Sequence, residues 1–167
     1  MKSIDFVNLI GKFCRQPIVA TEGRHVYLWH GDLVKLKSMT SVNAFVGIDL
    51  HQMAFQIPRA ARAQDEAQRL LRTAIKETLV KAVHKGRQQI IVVTGCDLLN
   101  RYAISLQPFF EIASETVMVV FVVPPDETNF NHVLPDYINI NPTSTLMYIR
   151  NVLGENLTIY TEREGNL

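Results

Sequence analysis

The chain has 167 residues, 47% of them hydrophobic, enough for one domain with a substantial core and too few for two. Seventeen Lys and Arg against sixteen Asp and Glu give a formal charge of +1, so bulk charge points to neither a nucleic-acid nor a membrane partner, and either would need a local patch. Cys14 and Cys96 lack CxxC spacing and partners, which leaves a disulfide framework or a zinc cage without ligands.

In chain order, the start MKSIDFVNLIGK carries an acid where a signal peptide would have its apolar core, so a cytoplasmic protein is expected. Ser3 can cap a first helix in which Phe6, Leu9, Ile10 and Phe13 recur at helical spacing, and Pro17 prevents its continuation. His25 to Trp29 reads as a strand ended by the glycine turn His30-Gly31-Asp32. Asp32 to Thr40 has room for a couple of helical turns before a second strand in Asn43 to Leu50.

Pro58 opens the clearest helix, Arg59 to His84, with Ala60, Ala63, Ala67, Leu70, Leu71, Ala74, Thr78, Leu79 and Ala82 on its apolar face and Gly86 as its stop. Around it Arg59, Arg62, Arg69, Arg72, Lys76, Lys81, Lys85 and Arg87 face Asp65, Glu66 and Glu77, eight cations to three anions, a candidate surface for DNA or RNA phosphates.

Ile90 to Val93 and Val117 to Val123 are apolar without alternation, the mark of strands covered on both faces by helices. Between them Leu98 to Ser114 supplies a helix that Pro108 must either start or break in two. DETNFNHVLPDYINI reads as a surface loop. Asn141 as cap, Pro142 at the first helical position, Leu146, Ile149, Val152 and Leu153 on one face, and Gly154 as stop mark a last helix, followed by a strand over Leu157 to Thr161. The alternation predicts a three-layer α/β domain spanning residues 1–167 with a mostly parallel sheet of about five strands. The last strand offers an edge through which a homo-oligomer could pair.

Ligands of open parallel sheets bind outside the carboxyl ends of the strands. Asp49, His51, Thr94 and Asp97 stand at such ends. If their strands are neighbours, Asp49 and Asp97 can hold a hydrated Mg²⁺ with His51 beside it, as a small nuclease or hydrolase would need, although each Asp can equally cap the helix that follows it. No GxxxxGK cradle follows the first strand, and GxGxxG, GxSxG and HExxH are all missing. His25, His30, His51, His84 and His132 show no zinc spacing.

The strand IIVV, the turn ending in Asp97, the helix SLQPFFEIASET and the strand VMVVFVV resemble the Walker B strand, following helix and sensor strand of AAA-type P-loop ATPases. The nearest likeness is the small P-loop component of type 3 BREX phage-defence systems, BrxF, and it covers residues 43–123. Against that family's pattern Thr94 stands at the aspartate position, Asp97 at the glutamate position, Pro108 matches, and Ser114-Glu115 replaces a Ser-Arg pair. Lacking Walker A, the metal-holding aspartate and the arginine, such a relative loses the main electrostatic supports of phosphoryl transfer. The resemblance therefore implies a P-loop-NTPase-like fold and a catalytically silent subunit acting with other protein subunits, with ATP and Mg²⁺ the only cofactors it would suggest.

Overall fold

A computed structural model of the chain describes residues 3–18, 24–40, 45–56, 64–125, 144–153 and 159–161. The elements in chain order are α1 (Ser3–Arg15), β1 (Val26–His30), α2 (Leu33–Met39), β2 (Phe45–Asp49), α3 (Leu50–Phe55), α4 (Gln64–Ala82), β3 (Gln89–Thr94), α5 (Asp97–Arg101), α6 (Gln107–Ile112), β4 (Val117–Val123), α7 (Thr145–Leu153) and β5 (Ile159–Thr161). The strands form one parallel sheet in the order β2-β3-β4-β1-β5, four of them five to seven residues long and the fifth only three.

This order fixes which face each helix covers. The connection from β1 to β2 runs along the sheet past β4 and β3, whereas those from β2 to β3, β3 to β4 and β4 to β5 all run the opposite way. Right-handed crossovers in opposite directions must lie on opposite faces. Accordingly α1 and α2 pack on one face, where Phe6, Ile10, Phe13 and Leu36 meet Tyr27, Trp29, Ile90, Val92, Met118 and Val120. Helices α3 to α7 cover the other, where Leu71, Leu79, Leu98, Phe109 and Ile149 meet Leu28, Ile91, Val93, Val119 and Phe121. Alternate residues of β3 and β4 thus enter two different cores, which is why both read as unbroken apolar runs, and all seven residues of β4 are buried.

The basic helix begins, within the described residues, at Gln64, so Arg59, Arg62, Ala60 and Ala63 lie outside them. Its buried row is Ala67, Leu71, Ile75 and Leu79, spaced by four residues. Ile75, absent from the expected apolar face, is a core residue, whereas Leu70, Ala74, Thr78 and Ala82 are half-buried. The helix ends at Ala82, four residues before the expected glycine stop. Gln89 ends it from a distance: its amide donates to the Ala82 carbonyl at 2.8 Å and its carbonyl accepts from the His84 amide at 2.7 Å. These bonds satisfy groups that a helix end otherwise leaves unpaired. Gly86 instead adopts a left-handed φ of 79° in the following turn.

The expected helix from Leu98 to Ser114 is broken in two, with Pro108 in the first turn of α6, where its missing N–H costs nothing. Ala103 in the break has φ 49°. The expected loop after Pro125, the Asn141-Pro142 helix start and the Gly154 stop lie outside the described residues. Among the described residues no helix is long and apolar enough to cross a membrane.

Candidate functional site

Reversal of the crossover direction opens a crevice between the carboxyl ends of β1 and β4, because the chain leaves those neighbours toward opposite faces. It is lined by Gly31, Asp32, Leu33, Thr94, Gly95, Val122, Pro124 and Pro125 and encloses about 320 Å³. Gly31 still donates its amide to the Val123 carbonyl at 3.0 Å, so β1 and β4 part only beyond that pair.

The turn after β1 is fixed from both sides. The Trp29 indole donates to the Asp32 carbonyl at 3.1 Å, and the Asp32 carboxylate accepts from the Val34 amide at 2.9 Å, making Asp32 the N-cap of the seven-residue α2. This is where a phosphate cradle would sit in a P-loop protein, and here a carboxylate occupies the helix start.

The four strand-end residues singled out from the sequence come together on the neighbouring strands β2 and β3, where Asp49 is in register with Thr94. Asp49 caps α3, its carboxylate accepting from the His51 amide at 2.9 Å. Asp97 does not cap the helix after it. It is the first residue of α5, the cap position belongs to Cys96, and the Asp97 Oδ1 lies 2.6 Å from His51 Nε2. A carboxylate oxygen only accepts, so in this bond His51 Nε2 donates. The two side chains are 29% and 26% exposed, so the pair is partly open to solvent rather than sealed in the core. The second oxygen, Asp97 Oδ2, is buried without a hydrogen-bond partner among the described residues. The Thr94 hydroxyl reaches back toward the Ile48 carbonyl at 3.5 Å.

Gly95 makes this arrangement possible. Its φ of 71° is in the left-handed region, and a Cβ there would lie 2.8 Å from His51 Cδ2 and 2.9 Å from the His51 amide nitrogen. Only glycine lets the turn after β3 press against the start of α3. Cys96 next to it is buried, with Sγ 3.3 Å from the Val93 carbonyl, and burial pushes its thiol well above the ordinary range, so it is no nucleophile.

With Asp49 engaged as a cap and Asp97 turned to His51, the carboxylates form a local hydrogen-bonded set. No group of three metal-ligating side chains occurs among the described residues. The sequence located these residues but not the crevice, which needs the strand order. Its signals were the glycine turns His30-Gly31-Asp32 and Thr94-Gly95-Cys96 at the ends of buried strands.

On α4, Arg69, Arg72 and Lys76 are exposed. At about 100° per residue they fall within an arc of roughly 60°, with the exposed Glu66 and Glu77 to one side. Within the described helix the charges are four cations, Arg69, Arg72, Lys76 and Lys81, against Asp65, Glu66 and Glu77, a surplus of one out of the five expected over 59–87. Comparison with protein-family models, curated proteins and solved structures found no match to this chain.

Proposed function

We propose that the protein is a non-catalytic subunit on a P-loop-NTPase-like sheet, working with other protein subunits in an assembly of the phage-defence or DNA-processing kind. The carrying observation is the turn after β1: Asp32 caps α2 in the place where a nucleotide phosphate would need helix amides and a lysine. Among the described residues the crevice has no cation in its lining, so a phosphate entering it would meet the Asp32 carboxylate without a counter-charge from them. Further support comes from the strand order. It is β2-β3-β4-β1-β5, all parallel, which puts the strand that ends in the Thr94 turn beside the apolar strand β4, as the resemblance of the central stretch requires of its two strands. Asp97 Oδ1, at the glutamate position of that resemblance, is committed to His51.

The test is ATP turnover by the purified protein at millimolar Mg²⁺–ATP, beside Asp97→Ala. Turnover at the buffer blank in both is expected. Robust turnover that disappears in Asp97→Ala overturns the reading.

A second reading, favoured by the exposed arc of Arg69, Arg72 and Lys76, is that α4 contacts the phosphates of DNA. Three contacts give a log–log salt slope of about −2.7 on duplex DNA. The triple charge reversal to Glu should abolish binding, and a variant that binds as well as wild type removes the idea.

A further inference from the structure

The stripe of α1 formed by Asn8, Gly11, Lys12 and Arg15 has the spacing i, i+3, i+4, i+7, which puts all four on one face, turned away from the buried Phe6, Ile10 and Phe13. With Val7, and with Met39 and Thr40 where α2 ends, they line a groove of about 320 Å³. That volume is at the lower end for small-molecule sites. The groove lies at the amino edge of the sheet, away from the crevice, because Gln88, just before β3, donates its side-chain amide to the Phe13 carbonyl at 2.9 Å.

Gly11 is the residue the fold leaves unexplained. Glycine inside a helix is disfavoured relative to alanine by backbone entropy. Here its φ is not left-handed, and among the described residues an added Cβ would meet only the Arg15 Nη2, at an ordinary 3.9 Å. Among the described residues neither the turn of the chain nor the packing calls for it. A glycine of this kind gives an approaching ligand access to the backbone at the floor of the groove.

The charge balance selects the ligand. Lys12 and Arg15 bring two positive charges, and no carboxylate is among the described residues that line the groove. The carboxyl-terminal pole of α1 returns roughly half a negative charge and the shorter α2 less, which leaves about one positive charge facing the groove. Arg15 offers a planar fork of donors, Lys12 a point charge, and Asn8 an amide donor beside them. Val7 and Met39 add apolar wall. We infer that this groove binds a small phosphorylated ligand, its phosphate against Lys12 and Arg15 and its organic body over Gly11 between Val7 and Met39.

The experiment is an amide NMR titration of the whole chain with phenyl phosphate and with inorganic phosphate, against sodium chloride at matched ionic strength. Saturable shifts centred on Asn8, Gly11, Lys12 and Arg15 are expected, with phenyl phosphate the tighter ligand. Lys12→Gln and Arg15→Gln should each weaken it by about tenfold or more, the size of one charge-assisted contact. Gly11→Ala separates the proposal from a merely tolerated glycine: its melting temperature should rise while phenyl phosphate affinity falls. Shifts that fail to saturate or spread over every surface cation would overturn the inference, as would a Gly11→Ala chain that binds like wild type or melts lower. None of these readouts depends on whether the crevice takes nucleotide.

Discussion

Replacing Gly95 by alanine should be among the most damaging small substitutions in this protein, for two separable reasons. A φ of 71° places an L residue in the left-handed region, at a cost of roughly 1–2 kcal/mol. The new methyl would also sit 2.8 Å from the His51 ring and 2.9 Å from its amide nitrogen, closer than carbon atoms tolerate. Relieving that overlap means displacing α3 or rotating His51 off Asp97, an overpacking cost of roughly 1–3 kcal/mol. The sum, about 2–5 kcal/mol, is a large share of the roughly 5–15 kcal/mol that holds a typical domain together. Urea denaturation followed by circular dichroism measures it directly, provided the slope of the transition is unchanged. His51→Ala in the same chain removes the ring but not the backbone contact, so Gly95→Ala should then cost about 1 kcal/mol less. A Gly95→Ala loss below about 1 kcal/mol, or no coupling to His51, would refute the account of how the β3 turn is seated.

Ala103, with φ 49°, poses the reverse case: Ala103→Gly should stabilise by about 1 kcal/mol, and a destabilised variant in the same urea assay would show that the strain is imaginary. Arg24 places Nη1 at 3.0, 2.6 and 3.2 Å from the carbonyls of Phe110, Glu111 and Ala113, closing the end of α6. Arg24→Ala should therefore lower stability by about 1–2 kcal/mol, and a neutral effect would mean that these exposed bonds are replaced by water. Burial raises the Cys96 thiol above its ordinary 9.0 in the folded chain, so its contribution to stability is full below that pH and declines above it, where only the unfolded thiol ionises. Between pH 9 and 10 the wild type should lose stability more steeply than Cys96→Ala, by up to about 1.4 kcal/mol per pH unit, and equal slopes in the two chains would contradict this.

Residues whose placement depends on their own neighbours in sequence were legible without the structure. The unbroken apolar runs of β3 and β4 announce strands buried on both faces, and Pro108 announces a helix start, because hydrophobic burial and proline geometry act over a few residues. The polar strand ends Asp49, His51, Thr94 and Asp97 were visible for the same reason. Strand order was not, since two buried parallel strands present the same backbone edges to any neighbour. Only the handedness of the crossovers and the fit of two separate cores place β1 beside β4 and open the crevice there. Tertiary structure likewise overrode the local rule at Asp97. A carboxylate before LLNRY reads as a helix cap, yet a histidine 46 residues away in sequence takes it, because β2 and β3 bring their carboxyl ends together and Gly95 lets the two turns touch.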